Sequence, residues 1–420
     1  MPVTRLLATC RLAATLAVGL LLESGAATRA RAAPPAAPSG ATNPGEGAPR
    51  AVRPPAGCPL EPSVLLLHKQ GHPSGAEQVR KAADRGFRRV NVIATLQCRI
   101  DEQRRVVSLG CFADGGEDPL DDASLAAFRG ALAATFAAAR ERDVDLAITC
   151  HLNAWGPIDD WRNYFRFDPL AAYQGWTYRE AMIESVAEAL RSTGWQDPVD
   201  LALIGEMGQT LFEHPDAYRA IVRQLRAAPR LPPLRLGVSL NFQEVAGRHE
   251  PTDAQWRAVG ALLGECDFLG VSNYRWVELP VGPDDFAAAI DSLRRQLDRP
   301  GVSAHRTLPL HFTEIGLGGC RDHGVPARSA AEAARTPWLG TAAAEWSPWS
   351  NRELRGLRRE YHAALLAFLR EPPPGVVMSG AFLWTEGSWD PFDLIDRGFE
   401  DPAIVRQVQA HNAAVASASE

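Results

Sequence analysis

One pattern constrains the fold of this chain more than any other feature. A short apolar strand followed by an amphipathic helix recurs eight times between about residue 60 and residue 412. Strands that are apolar throughout are typical of a parallel sheet covered on both faces. Eight strand–helix units close such a sheet into a ring, so the sequence predicts an α/β protein with one (β/α)8 TIM barrel. An open doubly wound sheet is less favoured, because no G-x-G-x-x-G motif follows the first strand.

The N-terminal segment differs in composition from this repeating part. Arg5 and Arg11 precede the apolar stretch Leu12–Leu22, and an A-x-A sequence ends at Ala32, which predicts a secretory signal peptide over residues 1–32. Residues 33–57 are rich in Pro, Ala and Gly and predict a disordered linker, so the barrel domain is expected over residues 58–415. The apolar stretch is too short to span a bilayer. The mature protein is therefore expected to be secreted or periplasmic, without membrane contact once the signal is removed.

Cysteine content is consistent with an exported protein. Six cysteines remain after the signal peptide, and Cys98 and Cys111 flank the segment RIDEQRRVVSLG, which has the pattern of a small hairpin. In an oxidising compartment this arrangement predicts a Cys98–Cys111 disulfide, whereas the other four cysteines cannot be paired from the sequence. No C-x-x-C spacing indicates a zinc site.

Charge excludes one class of partner. The formal net charge is −6 and the signs are scattered along the chain, so no basic patch supports binding to nucleic acid. The sequence does not indicate an oligomeric state.

Polar side chains stand near the carboxyl ends of the predicted strands. In chain order the strands are SVLLLHK, RRVNVIAT, VDLAITCHLN, VDLALIGE, LRLGVSLNF, CDFLGVSNY, LPLHFTE and VVMSGAFLW. In a barrel of this type all the carboxyl ends open on one mouth, where ligands bind. The residues expected at that mouth are His68, His151, Asn153, Glu206, Asn241, Asn273, Tyr274, Glu314 and Trp384.

Two carboxylates in this set point to a particular chemistry. Glu206 ends the fourth strand and Glu314 ends the seventh, so the barrel places them across the mouth from each other. Glycoside hydrolysis needs such a pair: one carboxylic acid protonates the leaving oxygen, and the other, ionised, attacks the anomeric carbon. Tyr274 is expected to donate a hydrogen bond that keeps the attacking group charged. Glu244 and Glu386 also lie near the mouth but further into loops, and are expected to be surface or subsite groups.

Three segments carry a family resemblance over about residues 60 to 412. TEIG, DFLGVSNY and GAFLWT resemble the seventh, sixth and eighth strands of the clan of retaining (β/α)8 glycoside hydrolases whose two glutamates follow strands four and seven. Within this clan, the segments most resemble those of the endo-β-mannanase-like families 113 and 5. The resemblance implies that Glu314 is the nucleophile and Glu206 the acid/base of a double displacement on β-linked oligo- or polysaccharide. It implies no cofactor and no metal.

The remaining mouth residues are expected to contact the sugar. They are His68, His151, Asn153, Asn241, Asn273, Tyr274, Trp384 and Trp389. An insertion over residues 321–351, with Trp338, Trp346 and Trp349, is expected to cover one side of the mouth.

Gly205 departs from the clan pattern. The clan usually carries Asn just before the acid/base, where it binds the sugar 2-hydroxyl, so Asn153 or Asn241 is expected to supply that contact. Because this asparagine is missing, a sugar-binding pseudoenzyme is an alternative to an active hydrolase. A metal-dependent hydrolase using His68, His72, His151 and the two glutamates is a further alternative, but the usual first-strand H-x-H is absent.

Overall fold

The computed structural model describes residues 57–66, 72–113, 116–322 and 324–419. Its strands are, in chain order, β1 (Glu61–Leu66), β2 (Arg89–Ile100), β3 (Val106–Ala113), β4 (Gly116–Pro119), β5 (Asp145–Ala154), β6 (Ala172–Tyr173), β7 (Trp176–Thr177), β8 (Val199–Gly205), β9 (Leu234–Asn241), β10 (Phe268–Asn273), β11 (Leu310–Ile315), β12 (Cys320–Asp322), β13 (Val325–Pro326) and β14 (Met378–Leu383). Its helices are α1 (Gly75–Asp84), α2 (Asp122–Glu141), α3 (Glu184–Ser192), α4 (Gly208–Glu213), α5 (Pro215–Ala227), α6 (Asp253–Leu263), α7 (Asp284–Leu297), α8 (Ala330–Arg335), α9 (Arg352–Arg370) and α10 (Pro402–Ser419). The predicted signal peptide and almost all of the predicted linker lie outside the described residues, so both stay predictions.

Eight parallel strands form a closed barrel, which confirms the predicted fold class. Their order around the ring is β1, β2, β5, β8, β9, β10, β11 and β14, and β14 pairs again with β1. Each is one of the eight strands expected from the sequence. The closed ring has no free edge, and the helices cover its outer face, which is why the strands are apolar throughout.

Helix sequences follow from the need to cover the barrel. In α5 the buried side chains include Tyr218, Ile221, Val222 and Leu225, whose spacing makes one apolar stripe along the helix. α1 and α6 each begin with a capping box, which satisfies free backbone N–H groups at the helix start. Within the described residues, no helix combines the length and apolar character needed to cross a membrane.

A polar layer crosses the inside of the barrel below the mouth. The Asn91 side chain donates to the Thr313 carbonyl oxygen at 3.0 Å, and the Thr149 hydroxyl donates to Asn91 Oδ1 at 3.1 Å. Buried polar groups are tolerated when they are hydrogen-bonded in this way. Since side chains alternate along a strand, this layer also identifies the inward-facing positions of β2 and β5.

The strands that carry the two glutamates each contain a register irregularity just before the glutamate. On β8, Ala202 pairs with Gly237 but Gly205 pairs with Ser239, so three steps of β8 match two of β9. On β11, the register shifts by one residue between Phe312 and Glu314. An extra residue of this kind re-aims the side chains that follow it. Both glutamates are thereby turned toward the mouth.

The predicted hairpin is present, but its disulfide is not. β3 pairs antiparallel with β2 and extends the barrel strand into a three-stranded ribbon with β4. Cys98 pairs with Leu109, which places Cys111 two residues along, on the diagonal, and all six described cysteines are buried free thiols. Diagonal neighbours lie roughly 7–8 Å apart, with their Cβ atoms somewhat closer, whereas a disulfide needs Cβ atoms about 3.5–4.5 Å apart. The predicted Cys98–Cys111 bond is therefore wrong.

We expect Cys98 and Cys111 to be fully alkylated by iodoacetamide in denaturant without reductant. In the native protein both should resist the reagent, because burial raises the pKa of each thiol, that of Cys111 to about 12, and keeps it protonated. Peptide mass spectrometry reads the modification, and a sample reduced beforehand is the control. A linked peptide pair that appears only without reductant would contradict the register seen here.

Candidate active site

Glu206 lies directly after β8 in a strained backbone conformation. Its φ is +54°, in the left-handed region that residues other than glycine rarely adopt. Such strain costs on the order of 1–3 kcal/mol and is concentrated at functional sites. The side chain is 5% exposed, and its carboxyl group accepts hydrogen bonds from Asn241 Nδ2 at 2.9 Å and Trp161 Nε1 at 3.1 Å. The backbone and two donors thus fix the orientation of this carboxyl group.

Glu314 lies near the end of β11 and is 2% exposed. The Tyr274 hydroxyl donates to its Oε2 at 3.4 Å, and His151 Nε2 lies 2.9 Å from its Oε1. The glycines that follow have a packing reason: a Cβ at Gly318 would lie 2.1 Å from the Leu339 carbonyl oxygen. The loop after Glu314 therefore packs so closely against this neighbouring backbone that position 318 has no room for a side chain.

Arg162 joins the two carboxyl groups. Its Nη2 atom lies 3.2 Å from Glu206 Oε2 and 3.2 Å from Glu314 Oε1. The two carboxyl groups therefore flank a single nitrogen, and these two oxygens are no further apart than twice that distance. Nη1 also donates to Asn153 Oδ1 at 3.3 Å. Arg162 belongs to the loop after β5, in a short 3-10 turn over Arg162–Tyr164, and nothing in the strand pattern indicated its role.

The electrostatic environment gives the two glutamates opposite protonation tendencies. Burial and the neighbouring charge of Glu314 raise the pKa of Glu206, and Arg162 only partly offsets them. For Glu314, burial alone would raise the pKa, but Arg162 and His151 outweigh it and lower the pKa to about 2. Burial and Arg162 lower the pKa of His151 to about 4, so its imidazole is neutral near pH 7. The site holds one carboxylate and one group that retains its proton to higher pH.

The structure brings most of the predicted mouth residues together. His151, Asn153, Asn241 and Tyr274 all contact a glutamate or Arg162, as described above. Trp384 stacks on His151 with ring centroids 6.1 Å apart and planes 19° apart. Each of these residues is therefore joined to the carboxyl pair, either directly or through Arg162 or His151.

Two predicted residues stand apart from this group, and a third, His68, lies outside the described residues. Asn273 is buried at the end of β10, where its Oδ1 accepts a hydrogen bond from the Arg275 backbone N–H and its Nδ2 has no partner among the described residues. Trp389 donates to the Pro337 carbonyl oxygen, and a Cβ at Gly318 or Gly340 would lie within 2.7 Å of its ring. Its contacts are with the loops beside the mouth rather than with either glutamate.

His151 explains why residue 205 is glycine. A Cβ at position 205 would lie 2.2 Å from His151 Nε2 and 2.7 Å from Thr149 Cγ2. The imidazole therefore fills the space that a side chain before Glu206 would need. Asn241 is held in place, because Nδ2 donates to Glu206 and Oδ1 accepts from the backbone N–H groups of Gln243 and Glu244. These contacts aim its amide at Glu206, and its expected role as the replacement for the missing asparagine stays a prediction.

Gln97 is a mouth residue that sequence reasoning missed. Its register partner on β5 is Asn153, and it continues the inward-facing set of β2 that includes Asn91. The side chain is 1% exposed, yet its Nε2 has no hydrogen-bond partner among the described residues. A buried amide donor without a partner costs free energy unless a ligand or water satisfies it. The sequence signal was available, because Gln97 is a polar residue at an inward position of an apolar strand.

Two rival glutamates are placed by the structure outside the carboxyl pair. Glu244 accepts a hydrogen bond from the Tyr164 hydroxyl at 2.6 Å, and Glu386 begins a short 3-10 turn after β14. The 321–351 insertion packs beside the loops after β11 and β14, where Trp349 donates to the Ser388 carbonyl oxygen at 2.7 Å while Trp346 is 54% exposed.

Across the described ranges, no three His, Cys, Asp or Glu side chains are grouped as a metal site requires. His68, which the metal alternative needs, is outside those ranges.

Comparison with known proteins supports the fold. No protein-family model matches the chain, and no curated protein matches its sequence. The structure is similar to that of the GH113 β-mannanase from Alicyclobacillus acidocaldarius in complex with ManMIm, with a TM-score of 0.50 and 14% identity over 88% of this chain and 99% of that one. A complex of a GH113 β-1,4-mannanase gives a TM-score of 0.48 and 13% identity over 86% and 100% of the two chains. A family 5 mannosidase from Rhizomucor miehei gives a TM-score of 0.43 and 11% identity over 86% of this chain and 93% of that one. At these identities the likeness establishes the barrel and not the activity.

Replacing Gly205 by alanine should destabilise the protein by about 1–3 kcal/mol, because the new methyl group overlaps His151 and Thr149. In a His151→Ala background much of that cost should disappear, giving a coupling free energy of about 1 kcal/mol or more. Denaturant unfolding of the two single variants and the double variant measures it. Gly130→Ala, at a helical glycine with nothing within 4 Å of the added carbon, is the control without a clash. Additive effects of the two substitutions would show that His151 does not fill this space.

Proposed function

We propose that this chain is a retaining glycoside hydrolase that cleaves β-linked oligo- or polysaccharide by double displacement. The observation that carries the proposal is the buried carboxyl pair, in which Glu314 is held ionised and Glu206 tends to keep its proton. Environments that push the pKa values of two carboxyl groups apart are how acid and nucleophile are assigned in such enzymes.

In the first step Glu314 attacks the anomeric carbon while Glu206 gives its proton to the leaving oxygen. The C–O bond to the leaving group breaks as a glycosyl ester to Glu314 forms. In the second step Glu206, now ionised, removes a proton from water, the water oxygen bonds to the anomeric carbon, and Glu314 leaves as a carboxylate. The donors Asn241 and Trp161 keep Glu206 aimed at the same point in both steps.

The mouth is suited to a hydroxyl-rich ligand. Gln97 and Asn273 offer buried amide donors that have no partner in the described part of the chain, and Trp384 offers an indole ring beside His151. Sugar hydroxyl oxygens can satisfy such donors, and an indole ring can pack on the apolar face of a pyranose. Because the similar structures are described as mannanases and a mannosidase, β-linked mannose and glucose oligosaccharides are the first substrates to test.

The place of action follows from the predicted signal peptide. Export would bring the enzyme to polysaccharide outside the cytoplasm, in the periplasm or the medium. The buried thiols are no obstacle to export, since burial keeps them protonated.

A second candidate function is favoured by Arg162. A guanidinium between the two carboxyl groups occupies the region where bond cleavage would occur. A sugar-binding pseudoenzyme would be consistent with that contact. Oligosaccharide binding without any product over long incubation would favour this candidate over hydrolysis.

We expect Glu206→Gln to lower kcat on polysaccharide by about 10²–10⁴-fold, the usual contribution of a general acid. Aryl glycosides with good leaving groups should recover the first step in this variant but not in Glu314→Gln, which lacks the attacking oxygen. NMR of the first-formed product should show retained anomeric configuration. Glu244→Gln, which leaves the Tyr164 contact an acceptor, is the control. An equal loss in that control, or an inverted product, would contradict the assignment.

The pH profile of kcat/KM should be bell-shaped and lie on the acidic side. The acid limb falls as Glu314 is protonated, near its pKa of about 2, and the basic limb falls as Glu206 loses its proton, above the usual range for Glu. Initial rates across the acidic and neutral range, with stability checked at each pH, measure both limbs. A profile still rising above pH 8 would be inconsistent with Glu206 as the acid.

A further inference from the structure

We propose that Arg162 is a gate for the site: its side chain fills the space that the scissile bond must take, and it turns aside when the sugar enters. The inference rests on the proposed function, because it assigns Arg162 a positioning role in that reaction.

The geometry makes the guanidinium and the substrate mutually exclusive. One nitrogen of Arg162 lies 3.2 Å from a carboxyl oxygen of each glutamate. In double displacement the anomeric carbon and the leaving oxygen lie between carboxyl groups that are about 5–5.5 Å apart. That gap cannot hold a guanidinium and a sugar ring together. Two surface cavities, of about 840 and 580 Å³, lie elsewhere and are lined by neither Glu206 nor Glu314.

Movement is confined to the side chain, because the neighbouring backbone is anchored. The Asn163 side chain donates to the Glu244 carbonyl oxygen at 2.5 Å and accepts from the Gly208 N–H at 2.8 Å. Tyr164 is 4% exposed and Phe165 is fully buried. The loop therefore stays in place while the Arg162 side chain changes rotamer.

The hydrogen bonds of the guanidinium are long for a buried ion. Its contacts with the carboxyl groups and Asn153 range from 3.2 to 3.5 Å, and its Nε has no partner among the described residues. Strong charge-assisted hydrogen bonds are about 2.7–2.9 Å long and are often paired. Arg162 is thus retained by charge more than by hydrogen-bond geometry, so a substrate can displace it.

Exchange of Arg162 for substrate also fits the charge that the reaction develops. The titratable groups that face the guanidinium are Glu206, Glu314 and Tyr274, with neutral His151 beside them. While Arg162 is in place, its positive charge balances Glu314. When it leaves, Glu314 is free to stabilise the positive charge that builds up on the sugar in the transition state. The positively charged sugar of the transition state thus takes the place of the Arg162 guanidinium between the two carboxyl groups.

The first test uses Arg162→Ala and free guanidinium ion. A gate predicts that the variant binds mannotriose or cellotriose about tenfold or more tightly than the wild type, since no closed state competes. It also predicts that guanidinium at low millimolar concentration, against KCl of equal ionic strength, inhibits the variant competitively and leaves the wild type unchanged. Arg166→Ala, which removes an arginine of the same loop that pairs with Glu213, is the matched control and should behave like the wild type.

Other outcomes of that test overturn the gate. If guanidinium restores activity lost in Arg162→Ala, the arginine is a required contact rather than an obstacle. If calorimetry shows equal binding to variant and wild type, or no binding to the variant, then Arg162 is not what closes the site.

A second readout is independent of turnover. With ¹³C-labelled glutamate, the carboxyl titration of Glu314 should move upward from about pH 2 in Arg162→Ala and return toward it when guanidinium is added. An unchanged titration would overturn the gate. If the titration moves and oligosaccharides bind but no glycoside is cleaved by any form, the gate stands and the hydrolase proposal fails.

Discussion

A single buried guanidinium between two carboxyl groups is the interaction on which the organisation of the mouth depends. Without a cation, two carboxylates this close and this deeply buried could not both ionise, because each would bear the desolvation cost and the repulsion of the other. With Arg162 present, the charge is shared unequally. Glu314 is ionised, while burial and the charge of Glu314 keep Glu206 inclined toward its protonated form. The asymmetry that the proposed double displacement requires exists before a substrate arrives.

The barrel supplies the rigidity that this arrangement needs. The glutamates stand on strands separated by two others in the ring, and register irregularities in both strands turn them toward each other. The left-handed backbone at Glu206 is kept because the surrounding sheet and the donors Asn241 and Trp161 over-determine it. Local strain at the mouth is offset by the regular packing of strands and helices around it.

The eight-strand barrel and the meeting of Glu206 with Glu314 were predictable from the sequence, because strand periodicity determines which residues reach one end of a parallel barrel. Contacts that depend on loop conformation were not predictable. Arg162 and Trp161 lie in an irregular loop after β5, where no periodicity constrains a side chain. The Cys98–Cys111 error had a similar cause, because the sequence indicates a hairpin but its register decides which residues face each other. Gly205 was noticed as a departure, yet its reason, the His151 ring, is a three-dimensional contact.

Covalent trapping of Glu314 tests the central claim most directly. A 2-deoxy-2-fluoro glycosyl fluoride of mannose or glucose carries a good leaving group, while its fluorine destabilises the oxocarbenium-like transition states, so a glycosyl-enzyme ester should accumulate. Peptide mass spectrometry is then expected to find one fluoroglycosyl group on the peptide that contains Glu314, and none in Glu314→Gln. An adduct on any other carboxylate, or hydrolysis of these reagents with inversion and without an adduct, would contradict the account.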